Sequence, residues 1–320
     1  MAQNAADAIL DDRALASFGK VCDFELTVIE DFTNAHDVLQ DVEILITGWG
    51  CPPLDEAVLD AAPRLRAVVH TAGSVRGHIT EACWDRGIEV SSAAAANALP
   101  VAEYTVAMIL LSGKRALERA HGYQTTRRRD EWLSTSREIG NFGRTVGILS
   151  ASLIGRRVIE LLRPYDLRIL LHDPYVTEEE AGAPLVSIEE LFERSDVVSV
   201  HTPLLPTTHG LVSRELIALM RPDAVLINTA RGAVVDQDAL AEAAQSGRVR
   251  AILDVTDPEV LPPEHPLWGC ENVLITPHLA GSQGNEWGRL AEFAVAEVQR
   301  WAAGVGFAHP VRRERLDLLA

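Results

Sequence analysis

The chain has 320 residues, 47% of them hydrophobic and 23% charged, and its 29 basic against 46 acidic side chains give a formal charge of −17. That describes a soluble globular protein and argues against a nucleic-acid partner, because an electrostatic footprint on phosphates needs clustered Lys and Arg, and the single tight run at 127–129 leads straight into Asp130 and Glu131. At this length one core stops growing efficiently, so two domains with a cleft between them are expected.

In chain order, residues 1–13 carry acid where a signal peptide needs base, so no export is expected and the location reads as cytoplasmic. Residues 25–29, 44–47, 67–70 and 87–90 read as short strands, with helices at 54–61 and 80–85 between them, the second with Thr80 as its N-cap. From 100 to 117 the apolar residues recur with helical period, after a small-residue tract at 93–96 that reads as the passage between lobes. The apolar stretches at 101–112 and 146–153 fall short of the ~20 residues that cross a bilayer, so no membrane span is expected. The alternation then restarts: strands at 145–149, 168–172, 197–201, 224–228, 250–254 and 273–276, with helices at 154–162, 188–194, 214–220 and 238–246 between them. Strands separated by helices give a parallel sheet. Strands ending in Asp173, His201, Asn228, Asp254 and Thr276 line up polar residues along one edge, where open α/β sheets bind ligands. A last helix, at 290–302, is long enough to return to the first lobe. Cys22, Cys51, Cys83 and Cys270 lack metal spacing and read as buried, reduced thiols, and no metal site is expected.

The strand at 145–149 runs into Ser150-Ala151-Ser152-Leu153-Ile154-Gly155, the place for a G-x-G-x-x-G dinucleotide loop. Only the third glycine is present, at Gly155; serines replace the two that make the tight turn and admit the pyrophosphate. Asp173, 18 residues beyond Gly155, stands near the spacing of a ribose-binding acid and favours NAD over NADP. An ordinary βαβ crossover with a surface Asp is the competing reading of this unit.

Three further segments follow strands: Asn228-Thr229-Ala230-Arg231-Gly232-Ala233-Val234-Val235-Asp236, then Leu253-Asp254-Val255-Thr256-Asp257-Pro258-Glu259, then Thr276-Pro277-His278-Leu279-Ala280-Gly281. In that order they resemble the signature of the D-isomer-specific 2-hydroxyacid dehydrogenases, and the resemblance extends over about residues 67–281. It implies two doubly wound α/β lobes, a flavodoxin-like substrate domain from residues 1–97 and 284–320 and a Rossmann-type NAD domain at 98–283, with the active site in the cleft. It implies NAD-dependent hydride transfer between nicotinamide and a 2-hydroxy or 2-oxo acid in a homodimer built mainly from the cofactor lobes. Arg231 would bind the carboxylate by its guanidinium fork, His278 would donate or accept the proton, and Glu259 would orient it. Ser152, Leu153, Ile154, Asp173 and Thr202 would hold the dinucleotide. Thr105, Thr229, Ala230, Arg231, Asp254, His278, Ala280 and Gly281 would surround the nicotinamide end. Ala72, Gly73 and Ser74 match the loop whose amides bind the substrate carboxylate, although the sequence there departs from the family's G-x-G-x-D, and Thr256 and Val260 replace the usual Phe and Pro around Glu259. Trp49 reads as packing, with a pocket wall as the alternative; Asp236 reads as a turn or cap residue; the remaining histidines read as structural or solvent-facing. A different function class on the same scaffold is an NAD(H)-sensing, corepressor-like binding protein.

Overall fold

A computed structural model describes residues 1–24, 26–128 and 139–318; Arg129, Asp130 and Glu131 of the mixed-charge run lie outside them. Among the described residues ten strands form two sheets: β1 (Ile44–Thr47), β2 (Ala67–His70), β3 (Glu89–Ser92), β4 (Thr145–Leu149), β5 (Arg168–His172), β6 (Val197–Val200), β7 (Val225–Asn228), β8 (Arg250–Leu253), β9 (Val273–Ile275) and β10 (Pro310–Val311). The chain divides into two compact units, one made of Met1–Ala98 with Ser282–Ala320 and the other of Leu99–Gly281.

In the smaller unit the sheet order is β1-β2-β3-β10, parallel except for β10, which runs antiparallel to β3. Alternation along β2 explains the layers. Ala67 and Val69 face a core with Ile9, Phe18, Leu290 and Val298, while Val68 faces the opposite core with Leu39, Leu59, Cys83 and Val90. The last helix, Trp287–Ala302, covers the first face, and its buried Glu297 accepts from Ser91 Oγ at 2.5 Å, Ala308 N at 3.0 Å and His309 N at 3.2 Å. That carboxylate fastens the helix to β3 and to the short segment leading into β10. The strand expected at 25–29 is not formed. Residues 26–29 join no ladder, Leu26 is 47% exposed while Val28 and Ile29 pack only partly against the two cores, and Glu25 lies outside the described residues.

The larger unit carries a six-stranded parallel sheet in the order β5-β4-β6-β7-β8-β9. Leu185 adds one parallel bridge to Leu171 on the outer side of β5, a vestige of the third strand in the 3-2-1-4-5-6 dinucleotide order. The strands are apolar on both faces. Leu149, Val198, Val200, Leu226 and Leu253 enter one core, and Val146, Ile148, Val197, Ile227 and Ile252 the other, as a sheet covered by helices on both sides requires.

The helix expected from residue 100 starts earlier, spanning Ala94–Gly113 with Pro100 inside it. Ser92 Oγ accepts from Ala94 N at 3.2 Å, and alanine is the strongest helix former, so the helix opens at Ala94 within the small-residue tract. At 20 residues it is long and apolar enough to cross a membrane by composition, against the shorter stretch read from the sequence, but Val101, Ala102, Thr105, Val106 and Ile109 are buried in the fold. Its continuation to 117 fails at Arg115, which is left-handed (φ 49°), and a second helix runs Ala116–Thr126. Thr80 precedes the helix Glu81–Asp85 without capping it, because its hydroxyl donates to the Leu54 carbonyl at 2.6 Å. Of the cysteines only Cys83 is fully buried; all four are free.

Burial depresses His70 to about 3, with the charge of His78 adding to the effect, and depresses His201 to about 3. Unfolded histidines take up protons near pH 6.5, whereas these two stay neutral in the fold until far lower pH, so between those values the unfolded state binds more protons and stability falls as pH falls. At pH 5 each should remove about 2 kcal/mol relative to pH 7.5. Melting curves at the two pH values should show this loss, and His201→Asn should flatten the dependence; an equal slope in the variant contradicts it.

Candidate active site

The carboxyl edge of the larger sheet gathers most of the residues singled out by sequence. At the end of β4 the chain turns through Ser150, whose backbone is left-handed (φ 82°), the conformation the first glycine of the fingerprint would adopt. Ser152 caps the helix Leu153–Leu162, its Oγ accepting from Gly155 N at 3.3 Å. A Cβ on Gly155 would run into the Ser150 carbonyl, which explains why this glycine alone persists. Asp173, just beyond β5, accepts from Ala151 N at 2.8 Å and Ser150 Oγ at 3.1 Å through Oδ2, and from Tyr175 N at 2.8 Å through Oδ1. The serine hydroxyls therefore brace the turn that glycines normally leave bare. The first-turn amides of Leu153 and Ile154 remain at the positive end of the helix, an arrangement that accepts a pyrophosphate. Thr202, after β6, is buried with its Oγ1 3.4 Å from the Leu149 carbonyl, beside the point where strand order reverses between β4 and β6. These residues fit a dinucleotide.

The next three strands, β7, β8 and β9, are neighbours, so the segments leaving them emerge side by side. After β7, Asn228 clamps the turn: its Oδ1 accepts from Ala230 N at 3.0 Å and its Nδ2 donates to the Arg231 carbonyl at 2.9 Å. Arg231 is partly buried and its Nη1 donates to the Ala230 carbonyl at 2.7 Å. A Cβ on Gly232 would collide with the Thr256 carbonyl, so the glycine of the N-x-x-R-G motif lets this turn pack on the loop after β8. Thr229 Oγ1 lies 3.2 Å from Thr105 Oγ1, and Thr105 donates to the Val101 carbonyl at 2.8 Å, which places both threonines in one buried contact.

Asp254, after β8, is 2% exposed. Its Oδ1 accepts from Thr276 Oγ1 at 2.6 Å and Leu279 N at 2.9 Å, and its Oδ2 from Ala280 N at 2.9 Å. His278 itself is left-handed (φ 52°), and its N–H donates to the Asp254 carbonyl at 2.9 Å. Tyr104 OH meets Thr276 Oγ1 at 2.8 Å; since Thr276 gives its proton to Asp254, the phenol is the donor there. Burial pushes the Tyr104 phenol up, the Thr276 bond works against that, and the Asp254 charge reinforces it. The loop so fixed brings His278 Nδ1 to 2.5 Å from Glu259 Oε1, with both side chains more than half exposed. Thr256 shares its hydroxyl proton between the carbonyls of Pro258 (2.8 Å) and Glu259 (2.9 Å), so the residue that replaces the family's Phe ties down the Glu259 loop. Asp236 caps the helix Gln237–Gln245 by accepting from Ala239 N at 2.9 Å. The sequence reading missed Asn228 as a clamp, Tyr104, and Gln237, whose Oε1 accepts from Asp257 N at 3.0 Å. Gln237 directly follows the capping Asp236, but nothing in its spacing announces the contact.

Ala72, Gly73 and Ser74 belong to the smaller unit, after β2. Ser92 Oγ holds this loop by donating toward the carbonyls of Ala72 (3.1 Å) and Gly73 (2.5 Å). Trp49, after β1, is 39% exposed and meets Trp287 at 5.7 Å between ring centroids, tilted by 42°. Trp287 Nε1 donates to the Ser282 carbonyl at 2.6 Å, and Ser282 N donates to Asn97 Oδ1 at 3.0 Å. Among the described residues no group of three or more His, Cys, Asp or Glu is arranged to hold a metal ion.

Residues 107–280 match the family model described as D-isomer specific 2-hydroxyacid dehydrogenase, NAD binding domain. A glyoxylate reductase of Aeropyrum pernix is 34% identical over 271 residues, which cover 82% of this chain and 80% of that protein. A D-3-phosphoglycerate dehydrogenase of Methanocaldococcus jannaschii is 32% identical over 81% of this chain, and the match spans about half (49%) of that relative's length. Among solved structures, a D-lactate dehydrogenase from Aquifex aeolicus complexed with NAD and lactic acid superposes with a TM-score of 0.72 at 26% identity, covering 95% of this chain and 94% of that one. The apo D-mandelate dehydrogenase of Rhodotorula graminis, at 23% identity, shares the fold with a TM-score of 0.81 over 95% of this chain and 94% of that one. With the NAD-binding domain matched over more than half its length and a relative aligned along most of both sequences, the chain belongs to the D-isomer-specific 2-hydroxyacid dehydrogenase family.

Proposed function

We propose that the chain interconverts a 2-oxo acid and its 2-hydroxy acid, with Arg231 anchoring the carboxylate and His278 moving the proton at the substrate oxygen. NAD, when bound, supplies the hydride acceptor, and its reduced form the hydride donor. The observation that carries this reading is the 2.5 Å bond between His278 Nδ1 and Glu259. It fixes the imidazole by one nitrogen and leaves Nε2 on the far side of the ring to give or take a proton. A carboxylate partner sets the ring's orientation, the role of a positioning residue. Arg231 keeps its charge at every working pH and offers two parallel donors to a carboxylate. Asp173 at the end of β5 supports recognition of ribose hydroxyls, and the amides of Leu153 and Ile154 support that of the pyrophosphate. Ala72, Gly73 and Ser74 are the smaller unit's candidates for contact with the substrate carboxylate. The partly exposed Trp49–Trp287 pair of that unit supports a substrate with a bulkier side chain than glyoxylate. The sensor reading gains no support: the relatives named above are dehydrogenases and reductases, and a pure sensor has no use for a bonded Glu259–His278 pair.

The reading extends to a homodimer. On the helix Ala94–Gly113 the exposed residues Glu103, Ala107 and Leu111, with Lys114 just past its end, form one stripe. Antiparallel pairing with a second copy about the stripe's midpoint sets Glu103 of one copy against Lys114 of the other, with the apolar residues between them.

NADH oxidation against glyoxylate, hydroxypyruvate, pyruvate and phenylpyruvate tests the activity. Turnover with at least one acid is expected, with His278→Ala lowering kcat by ~1000-fold or more while NADH still quenches tryptophan fluorescence; full activity of the variant would refute the proton-transfer role. Leu111→Glu should convert a dimer to a monomer by light scattering after gel filtration, and an unchanged mass would rule out this helix as the contact.

A further inference from the structure

Asp173 is already engaged by the protein's own donors. Its Oδ2 accepts from the Ala151 amide at 2.8 Å and from Ser150 Oγ at 3.1 Å, and its Oδ1 accepts from the Tyr175 amide at 2.8 Å. A carboxylate offers about four acceptor positions, two on each oxygen, so among the described residues one position, on Oδ1, is left. A ribose diol brings two donors. Two of the three donors in place are backbone amides that the turn supplies whatever its side chains are; the Ser150 hydroxyl is the one set by the choice of residue.

That choice has a cost. Ser150 sits at φ 82°, a backbone that glycine adopts freely and that a residue with a Cβ rarely takes. The turn cannot relax around it. Its amide donates to the His172 carbonyl at 2.9 Å, its carbonyl lies where a Cβ on Gly155 would collide with it, and the next peptide is held by Arg156 Nε, which donates to the Ala151 carbonyl at 2.9 Å. A strained side chain kept where glycine fits without strain points to a function for the hydroxyl. Arg168 supplies no counter-charge at Asp173, because it opens β5 at the opposite end and gives its Nε and Nη2 to the Gly143 carbonyl at 3.1 and 2.7 Å.

Taking Asp173 as the acceptor of ribose hydroxyls, as proposed above, we propose that Ser150 is a specificity-determining residue that narrows the preference of this chain for NAD over NADP. Its hydroxyl takes an acceptor position that a ribose hydroxyl would otherwise use, which weakens NAD. Its O–H dipole also offsets part of the carboxylate charge, so a 2′-phosphate meets less repulsion. Both effects act in one direction.

The test is calorimetric titration of the full chain with NADH and with NADPH, which reads binding without turnover. Ser150→Ala should bind NADH roughly 10-fold more tightly, the size of one hydrogen bond to a charged acceptor, and NADPH several-fold more weakly. Its Tm should fall, because the left-handed backbone stays and the bond to Asp173 is lost. Opposite shifts for two cofactors in a less stable variant are not a consequence of structural damage. Ser150→Gly removes the same hydroxyl and relieves the backbone, so it should shift both cofactors in the same directions without the loss of Tm. Asp173→Asn should weaken NADH and bring the two dissociation constants closer together, and in that background Ser150→Ala should change either constant less than twofold. If Asp173→Asn leaves both affinities at their wild-type values, the ribose assignment fails and the role of Ser150 fails with it. If Asp173→Asn behaves as expected but Ser150→Ala binds NADH no more tightly, or gains for NADPH in parallel, or the tightening occurs in Ser150→Gly alone, the role of Ser150 is overturned while that of Asp173 stands.

Discussion

A carboxylate with almost no access to water organises the carboxyl edge. Asp254 is 2% exposed, and an ionised group so placed costs several kcal/mol unless donors surround it. The donors come from one short stretch: the Thr276 hydroxyl and the amides of Leu279 and Ala280. Satisfying Asp254 therefore closes the segment after β9 over the end of β8. The closure forces His278 into a left-handed backbone and turns its ring toward Glu259, which Thr256 holds from beneath. Strain at a single residue is offset by three hydrogen bonds to a buried charge, which is how a strained conformation persists at a working site. Tyr104 extends the same network to the helix Ala94–Gly113 through Thr276.

The dinucleotide loop solves an equivalent problem with unusual residues. Ser150 adopts the left-handed turn a glycine would take, and its hydroxyl bond to Asp173 returns part of the conformational cost. Ser152 spends its side chain on the Gly155 amide as a helix cap. Only at Gly155 does the backbone leave no room for a Cβ, and only there is the glycine kept. The fingerprint thus reduces to the one position where sterics permit no substitute.

Parallel strands sort polar groups by end. On the carboxyl side the turns that leave the strands are pinned by hydrogen bonds to Asp173, Asn228 and Asp254. On the amino side, arginines at or near the starts of β4, β5, β7 and β8 converge with Asp196 and Asp223.

The amino-acid sequence by itself determined the strands of the larger unit, because β-segments apolar on both faces stand out as continuous runs between turn residues. It also singled out Arg231, Glu259 and His278 as candidates, since each follows such a run within a recognisable motif. Weaker signals misled it. The segment at 26–29 has strand-like residues but pairs with no strand, the helix read from residue 100 begins at Ala94, and β10, two residues long, forms against the edge of β3. Tertiary structure alone decided that Asp254 spends its carboxylate on the loop of His278, that Gln237 clamps the turn at Asp257, and that five scattered arginines line one cavity. Periodicity and spacing record what lies near along the chain; these contacts join strand ends 20 to more than 100 residues apart, which only the folded sheet brings together.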